Sequence, residues 1–393
     1  MVHDQWEGAP EGVVSRHEWN RLRCFALVQV LSLLVCDTCH SSSFITCTPI
    51  GKHSHSNPRS QLTSSSFTMS KKTILVTGAT GQQGGAVIDA LMDLDKSGEK
   101  FSILAVTRKA DSTAALDLVK KHPRVKLVEG NLDNVPALFE SAKIIAGEQQ
   151  LPIWGVFSVQ VSMGPGVTFD SEVRQGKALI DGAIENGVQH FVYSSVERGG
   201  DERSWENPTP IPHFKSKKVI EDYLNATCGK QPGSKMGWTI LRPVAFMDNL
   251  KPGMPTSVFL TALKNHLGQD RKPLQWIAVH DIGVFAAKVF DEPEEWNHRA
   301  VGLAGDELTV EQLSRAFSKA TGYPIPLTYW FAGSLLTWLV KEMGLMIGWF
   351  ASDGYKADVE ARRKDHPDML TMEQWLLKKS QFSTGVDSAQ IGA

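Results

Sequence analysis

The sequence predicts an α/β fold, a doubly wound parallel sheet joined to a smaller, mostly helical C-terminal domain. Three observations predict it. From Thr73 onward, short apolar, β-branched runs alternate with segments of helical periodicity, the order that builds a parallel sheet covered by helices on both faces. The first of these runs enters a glycine-rich turn that opens a helix. Beyond residue 250 the apolar pattern becomes mostly helical. The organisation expected is an extension over residues 1–68, the sheet domain over 69–250, and a smaller domain over 251–393 that is partly interleaved with the first.

The chain has 393 residues, 42% of them hydrophobic and 21% charged. That is ordinary globular usage, and the length suits one large domain or two moderate ones. A formal net charge of −2 argues against direct nucleic-acid binding, which calls for a basic surplus or stripe. Of five cysteines, Cys24, Cys36, Cys39 and Cys47 precede residue 50 and only Cys228 follows, a distribution expected of a reduced intracellular protein. A cytoplasmic location follows, with nuclear entry left open.

The extension differs from the rest of the chain. Ser54–Thr68 is rich in Ser, Thr, His and Asn without periodicity and reads as disordered. The uncharged run Cys24–Cys36 follows Arg16, Arg21 and Arg23, as in a signal-peptide core, but it is shorter than the ~20 residues of a membrane span. It also lies far from the N-terminus and behind Asp4, Glu7, Glu11 and Glu18, which a targeting segment tends to lack. The simpler expectation is that Met69 starts the protein. Cys36, Cys39 and His40 resemble half a zinc site with no second half at a usable spacing, so no metal is expected.

Thr73–Thr77 is the first strand. It runs into Gly78, Ala79, Thr80, Gly81, Gln82, Gln83 and Gly84, and Val87, Ile88, Leu91, Met92 and Leu94 continue as a helix. Glycines at such a turn let the backbone approach a pyrophosphate, whose charge rests on the helix N-terminus. Strand, glycine turn and helix together read as a Rossmann dinucleotide site, and the GxxGxxG spacing is the form used by atypical short-chain dehydrogenase relatives. The second strand, Phe101–Thr107, ends at Arg108 and Lys109. An acid there would take the ribose of NAD, whereas an arginine accommodates the 2′-phosphate of NADP. Arg108, assisted by Lys109, is therefore the expected 2′-phosphate ligand; the plainer reading is a solvated charge at a strand end.

Val125–Glu129 is the third strand, followed by Asn131, Leu132 and Asp133. Asn131 and Asp133 either contact the adenine or turn the chain and cap the helix starting near Val135. Ile153–Val159 is the fourth strand, and its end at Ser158 and Gln160 should lie beside the nicotinamide ribose. A helix over Ser171–Asn186 leads to the strand His190–Ser194. Short-chain dehydrogenases place a serine near this strand end and a Tyr-x-x-x-Lys pair on the next helix, where the tyrosine passes a proton while the cofactor supplies hydride. Ser194 is present. The tyrosine position holds His213, with Lys217 one helical turn later. Tyr223 lies about three turns beyond and is no replacement. An imidazole titrates near 6.5 and has a different reach from a lysine-activated phenol, so Lys217 is kept as a cofactor-ribose ligand. His213 stands either as a weak catalytic candidate with Lys217 or as a residue of the helix start.

The glycine turn Gly78–Gly84, the run Tyr193–Glu197, and His213, Phe214, Lys215, Ser216, Lys217 with Glu221 resemble the NmrA-like family over most of residues 72–382. The resemblance implies a Rossmann NADP(H)-binding domain with a smaller substrate-type domain. Family members include redox-sensing transcriptional regulators that bind dinucleotides without catalysis, and others are described as oxidoreductases. Arg242, Pro243 and Phe246 are similar to the family's loop over the nicotinamide, so Phe246 and Met247 either line the cofactor or belong to the core.

Farther on, His280–Phe290, a strand at Ala300–Leu303, and the helices Thr309–Thr321 and Thr371–Lys379 read as packing elements. Thr309 with Gln312 has the form of a capping box. Tyr329–Phe350 is strongly apolar, but Lys341 and Glu342 interrupt it. Two helices are expected rather than a membrane span. Two function classes follow: a sensor that responds to NADP(H) and acts on a regulatory partner such as a transcription factor, or an NADPH-dependent reductase of a small carbonyl or unsaturated compound. The histidine at the tyrosine position favours the first.

Overall fold

A computed structural model of the chain describes residues 71–147, 152–228, 236–269 and 271–383. The expectations for residues 1–68, including the run Cys24–Cys36 and the Cys36, Cys39 and His40 group, and for Met69 lie outside the described residues.

Seven strands form the main sheet: β1 Lys72–Val76, β2 Phe101–Thr107, β3 Lys126–Glu129, β4 Ile153–Ser158, β5 His190–Ser194, β6 Gly237–Pro243 and β9 Arg299–Leu303. Their order is β3-β2-β1-β4-β5-β6-β9, and every pairing is parallel. The chain winds outward from β1 to β3 and returns to β4, so the switch in winding direction falls between β1 and β4. That crevice, at the carboxyl ends of the strands, is where such sheets take ligands. β2 and β5 are buried along their whole length.

Side chains alternate across the strands and divide the core into two layers. On one face Ile74 and Val76 pack with Val87, Ile88 and Leu91 of α1 (Gln82–Leu94) and with Phe285 and Phe290 of α8 (Val279–Asp291). On the other, Leu75 and Leu104 pack with Phe139 of α3 (Val135–Gly147), Leu179 of α4 (Phe169–Glu185) and Ile220 of α6 (Pro212–Cys228). Helices α2 (Thr113–Lys121) and α5 (Asp201–Glu206) complete the crossovers. Gly283 allows α8 to lie on α1, since a Cβ there would meet the Ala86 carbonyl oxygen and come within 3.0 Å of the Val87 nitrogen.

Three short strands that local periodicity does not announce, β7 Ala245–Phe246, β8 Leu274–Ile277 and β10 Asp306–Leu308, form a second sheet of order β10-β8-β7. Around it stand α7 Met254–Leu267, α9 Pro293–Trp296, α10 Val310–Thr321, α11 Trp330–Leu339, α12 Lys341–Ser352, α13 Val359–Asp365 and α14 Met372–Lys378. The apolar stretch from Tyr329 is divided into two helices at Val340, and no helix among the described residues is long and apolar enough to cross a membrane. Capping boxes start α4 at Thr168, α10 at Thr309 and α14 at Thr371. β6 ends on Pro243, which pairs with Leu303 at the strand end, a position that tolerates proline.

Candidate functional site

The turn after β1 is shaped by its glycines. Gly78 has φ +61, and a Cβ there would come within 2.8 Å of Val159 Cγ1. A Cβ at Gly84 would lie on the Gly78 carbonyl oxygen and 2.7 Å from the Thr77 carbonyl oxygen. Only glycine therefore lets α1 start this close to the strand. The Gly81 N–H closes the turn onto the Gly78 carbonyl at 2.9 Å. Thr77 Oγ1 donates to the Phe157 carbonyl at 3.0 Å and accepts the Val159 N–H at 2.9 Å, tying the ends of β1 and β4. Gly78, Thr80, Gly81 and Gln82 are exposed, and no side chain caps α1 at Gly81. The first-turn N–H groups thus form a positive helix end.

Gln83 and Ser194, both expected at the cofactor, are brought together: Ser194 Oγ donates to Gln83 Oε1 at 2.5 Å. Ser194 is buried. At the end of β4, Gln160 Nε2 donates to Ser158 Oγ at 2.9 Å, and the buried Gln160 Oε1 has no partner among the described residues. A buried amide oxygen left open beside the crevice is an acceptor for an outside donor.

Arg108 is exposed past the end of β2 and makes no ion pair among the described residues. Lys109 lies 3.5 Å from Asp111 on the surface. An acid does reach this loop, from the neighbouring strand: Glu129 Oε2 accepts the Ala110 N–H at 2.9 Å. Sequence reasoning missed it by looking for the acid on β2. Asn131 Oδ1 accepts the N–H groups of Asp133 at 2.8 Å and Asn134 at 3.1 Å, turning the chain, while Asn134 Oδ1 accepts the Ala137 N–H at the start of α3. Asp133 is exposed and holds Gln175 at 3.0 Å and Arg174 at 3.2 Å.

On α6 the two catalytic candidates are each bound to a carboxylate. Lys217 Nζ stands 3.3 Å from Glu172 Oε1, with side chains 9% and 1% exposed. Glu172 also accepts Ser162 Oγ at 2.8 Å and Ser216 Oγ at 2.5 Å, so one buried acid ties the segment after β4 to α6. His213 Nδ1 lies 2.6 Å from Glu342 Oε1 of α12, and this bond to His213 holds the Glu342 carboxyl below its ordinary range. Glu172 and Glu342 were not legible as site residues: one looks like an ordinary helix acid, the other like a charge interrupting an apolar run.

Glu221 belongs to the framework. It is fully buried between Arg198 and Arg242, with Arg198 Nη2 at 2.7 Å and Arg242 Nη2 at 2.8 Å. Burial pushes its carboxyl upward, but the two guanidinium groups outweigh that and hold it below the ordinary range. Arg242 also stacks on Trp205 at 4.4 Å. Phe246, in β7, is half-buried beside the core, and Met247 is fully buried. Among the described residues no group of three or more His, Cys, Asp or Glu is placed to hold a metal ion.

Comparison with known proteins agrees with this fold. The NmrA-like family model matches residues 70–376. An NmrA-like family domain-containing oxidoreductase of Aspergillus campestris is 29% identical over 265 residues, 64% of this chain and 74% of its own. The nitrogen metabolite repression protein of Neurospora crassa is 26% identical over 278 residues, 65% of this chain and 54% of its own. Among solved structures, the negative transcriptional regulator NmrA in complex with NADP superposes with a TM-score of 0.54 at 20% identity, over 79% of this chain and 96% of that one. The NADPH-dependent quinone oxidoreductase of Escherichia coli complexed with NADPH gives 0.56 at 19% identity, over 77% and 98%. At those identities the structural likeness speaks for the fold alone. With a glycine turn at the switch point of a seven-stranded parallel sheet and a family model that matches most of its length, this chain belongs to the NmrA-like family.

Proposed function

We propose that the chain binds NADP(H) at the crevice between β1 and β4 and works as a dinucleotide-responsive regulator with little or no turnover. The residues present suit the dinucleotide. The uncapped start of α1 and the exposed Gly78, Thr80, Gly81 and Gln82 suit a pyrophosphate, Arg108 suits a 2′-phosphate, and this reading assigns Asn131 and Asp133 to the adenine end and Ser158, Gln160 and Lys217 to the nicotinamide ribose. The observation that carries the regulatory reading is the state of α6: the tyrosine position holds a histidine, His213, and Lys217 is paired with the buried Glu172. A lysine so neutralised is poorly placed to activate a phenol, and no phenol stands beside it on the helix. Regulation requires that NADP(H) favour one of two conformations, or one of two partner affinities, over the other. The name of the Neurospora relative, a nitrogen metabolite repression protein, supports a regulatory role, and the partner in this reading is a regulatory protein such as a transcription factor.

A second reading, an NADPH-dependent reductase of a small carbonyl or unsaturated compound, is favoured by the His213–Glu342 contact and by the oxidoreductase names among relatives. The bound cofactor would supply hydride. A carboxylate on Nδ1 fixes the imidazole and leaves Nε2 to hold or release a proton.

Titration of the protein with NADPH and NADH, alongside Arg108→Ala and with a panel of small carbonyls, separates the readings. NADPH binding that Arg108→Ala weakens, with no oxidation, supports the regulator. Substrate-dependent oxidation lost in His213→Ala establishes the reductase, and absence of dinucleotide binding sinks both.

A further inference from the structure

Helix α11 (Trp330–Leu339) has an unusual exposed face. Its buried side rests on α7, where Gly333 lies against Ala262 so closely that a Cβ would come within 2.7 Å of the Ala262 nitrogen. Asn265 Nδ2 donates to the Trp330 carbonyl at 2.8 Å, and the Thr328 N–H to Thr261 Oγ1 at 3.0 Å. The opposite side presents Trp330 at 72%, Phe331 at 54%, Leu335 at 48% and Trp338 at 68% exposure, with Tyr329 at 74% just before the helix. Tyr329 stacks on Phe331 with centroids 5.6 Å apart, and Trp330 meets Phe331 edge-on at 6.2 Å, so the rings form one patch. Its area, on the order of 600 Å², is at or above the largest apolar patch of ordinary monomers.

No charged residue stands between Lys319 and Lys341. Lys264 at the end of α7, next to the Asn265 that holds Trp330, and exposed Lys341 directly after α11 make no ion pair among the described residues. The patch is therefore an aromatic ridge with cations at its border.

We propose that this ridge docks on a lipid surface bearing anionic headgroups, with Trp330 and Trp338 entering the headgroup boundary and Lys264 and Lys341 meeting the lipid charge. Three features favour this occupant. Tryptophan and tyrosine, amphipathic rings suited to the boundary between water and acyl chains, dominate the face. The side chains stand about half or more exposed, so they project from the helix face. A second copy is disfavoured, because the ridge is smaller than the ~800 Å² each partner gives to a standard interface, and apposing two copies would bring like charges together.

The test is sedimentation of the full chain with phosphatidylcholine vesicles and with phosphatidylcholine–phosphatidylserine vesicles, at low and high salt. The comparison variants are Trp330→Ser/Trp338→Ser and Lys264→Glu/Lys341→Glu, each checked for cooperative thermal unfolding. The expected result is binding to the anionic vesicles that falls roughly tenfold or more in the tryptophan variant and falls with salt and in the lysine variant. Equal binding by the wild type and the tryptophan variant overturns the proposal, as does absence of binding to either vesicle. Light scattering that shows a dimer abolished by the tryptophan variant, without vesicle binding, overturns it in favour of a second copy. A protein partner captured only through Trp330 and Trp338, again without vesicle binding, does so in favour of that partner.

Discussion

Lys217 Nζ and Glu172 Oε1 lie 3.3 Å apart in a part of the protein where both side chains are at most 9% exposed. The lysine expected at a cofactor ribose is therefore also half of a buried ion pair, and the two roles separate experimentally. Lys217→Ala leaves Glu172 charged, buried and held only by Ser162 and Ser216, which should cost about 3 kcal/mol of stability. Adding Glu172→Gln should restore most of that in urea unfolding. If Lys217 contacts the dinucleotide, weakened NADPH binding persists in the stabilised double variant. Recovered binding would assign Lys217 a purely structural role.

Glu221 lies between Arg198 and Arg242 with all three residues at 0% exposure. Glu221→Gln should cost about 3–5 kcal/mol, because two guanidinium groups would remain buried without a counter-charge. Denaturant unfolding measures this, and a loss under about 1 kcal/mol would contradict the arrangement.

His190 is buried at the start of β5, and desolvation lowers its imidazole to about 4. Thr239 Oγ1 gives its proton to the Trp296 carbonyl at 2.8 Å, so His190 Nε2 is the donor across the 2.9 Å contact to Thr239. The folded protein keeps this ring neutral while the unfolded chain protonates near 6.5. Its contribution is thus complete above about pH 6.5 and is lost as pH falls toward 4, by about 3 kcal/mol in all. His190→Gln should flatten stability measured across that window, and an unchanged slope would refute the assignment.

Glu129 places a carboxylate on the Ala110 N–H, two residues from Arg108. Glu129→Gln keeps an acceptor for that N–H and removes the negative charge near the expected 2′-phosphate. The ratio of NADPH to NADH affinity should rise by roughly threefold to tenfold. Parallel titrations read it directly, and an unchanged ratio would place the phosphate elsewhere.

Much of the fold is legible from short windows of sequence. Phe101–Thr107 and His190–Ser194 are strands over the expected residues, and the capping box at Thr309 is present. The main sheet's parallel winding follows from the alternation of runs, and the glycine turn announces itself because its requirement is local: a positive φ at Gly78 and a close approach at Gly84. The small sheet is another matter. β7 has two residues and β10 three, too few to show a period, and each is a strand only because β8 supplies its hydrogen bonds.

By itself, the sequence determined the strand order of the main sheet, the open turn at the start of α1 and a cation past β2, because backbone preference and side-chain period act over a few residues. Only the tertiary structure decided which acid meets which base. His213 finds Glu342 at a separation of 129 residues, and Glu221 draws Arg198 and Arg242 from two different strand ends. A carboxylate reads the same in any helix until the path of the chain brings it to a partner and burial removes the water that would otherwise satisfy it.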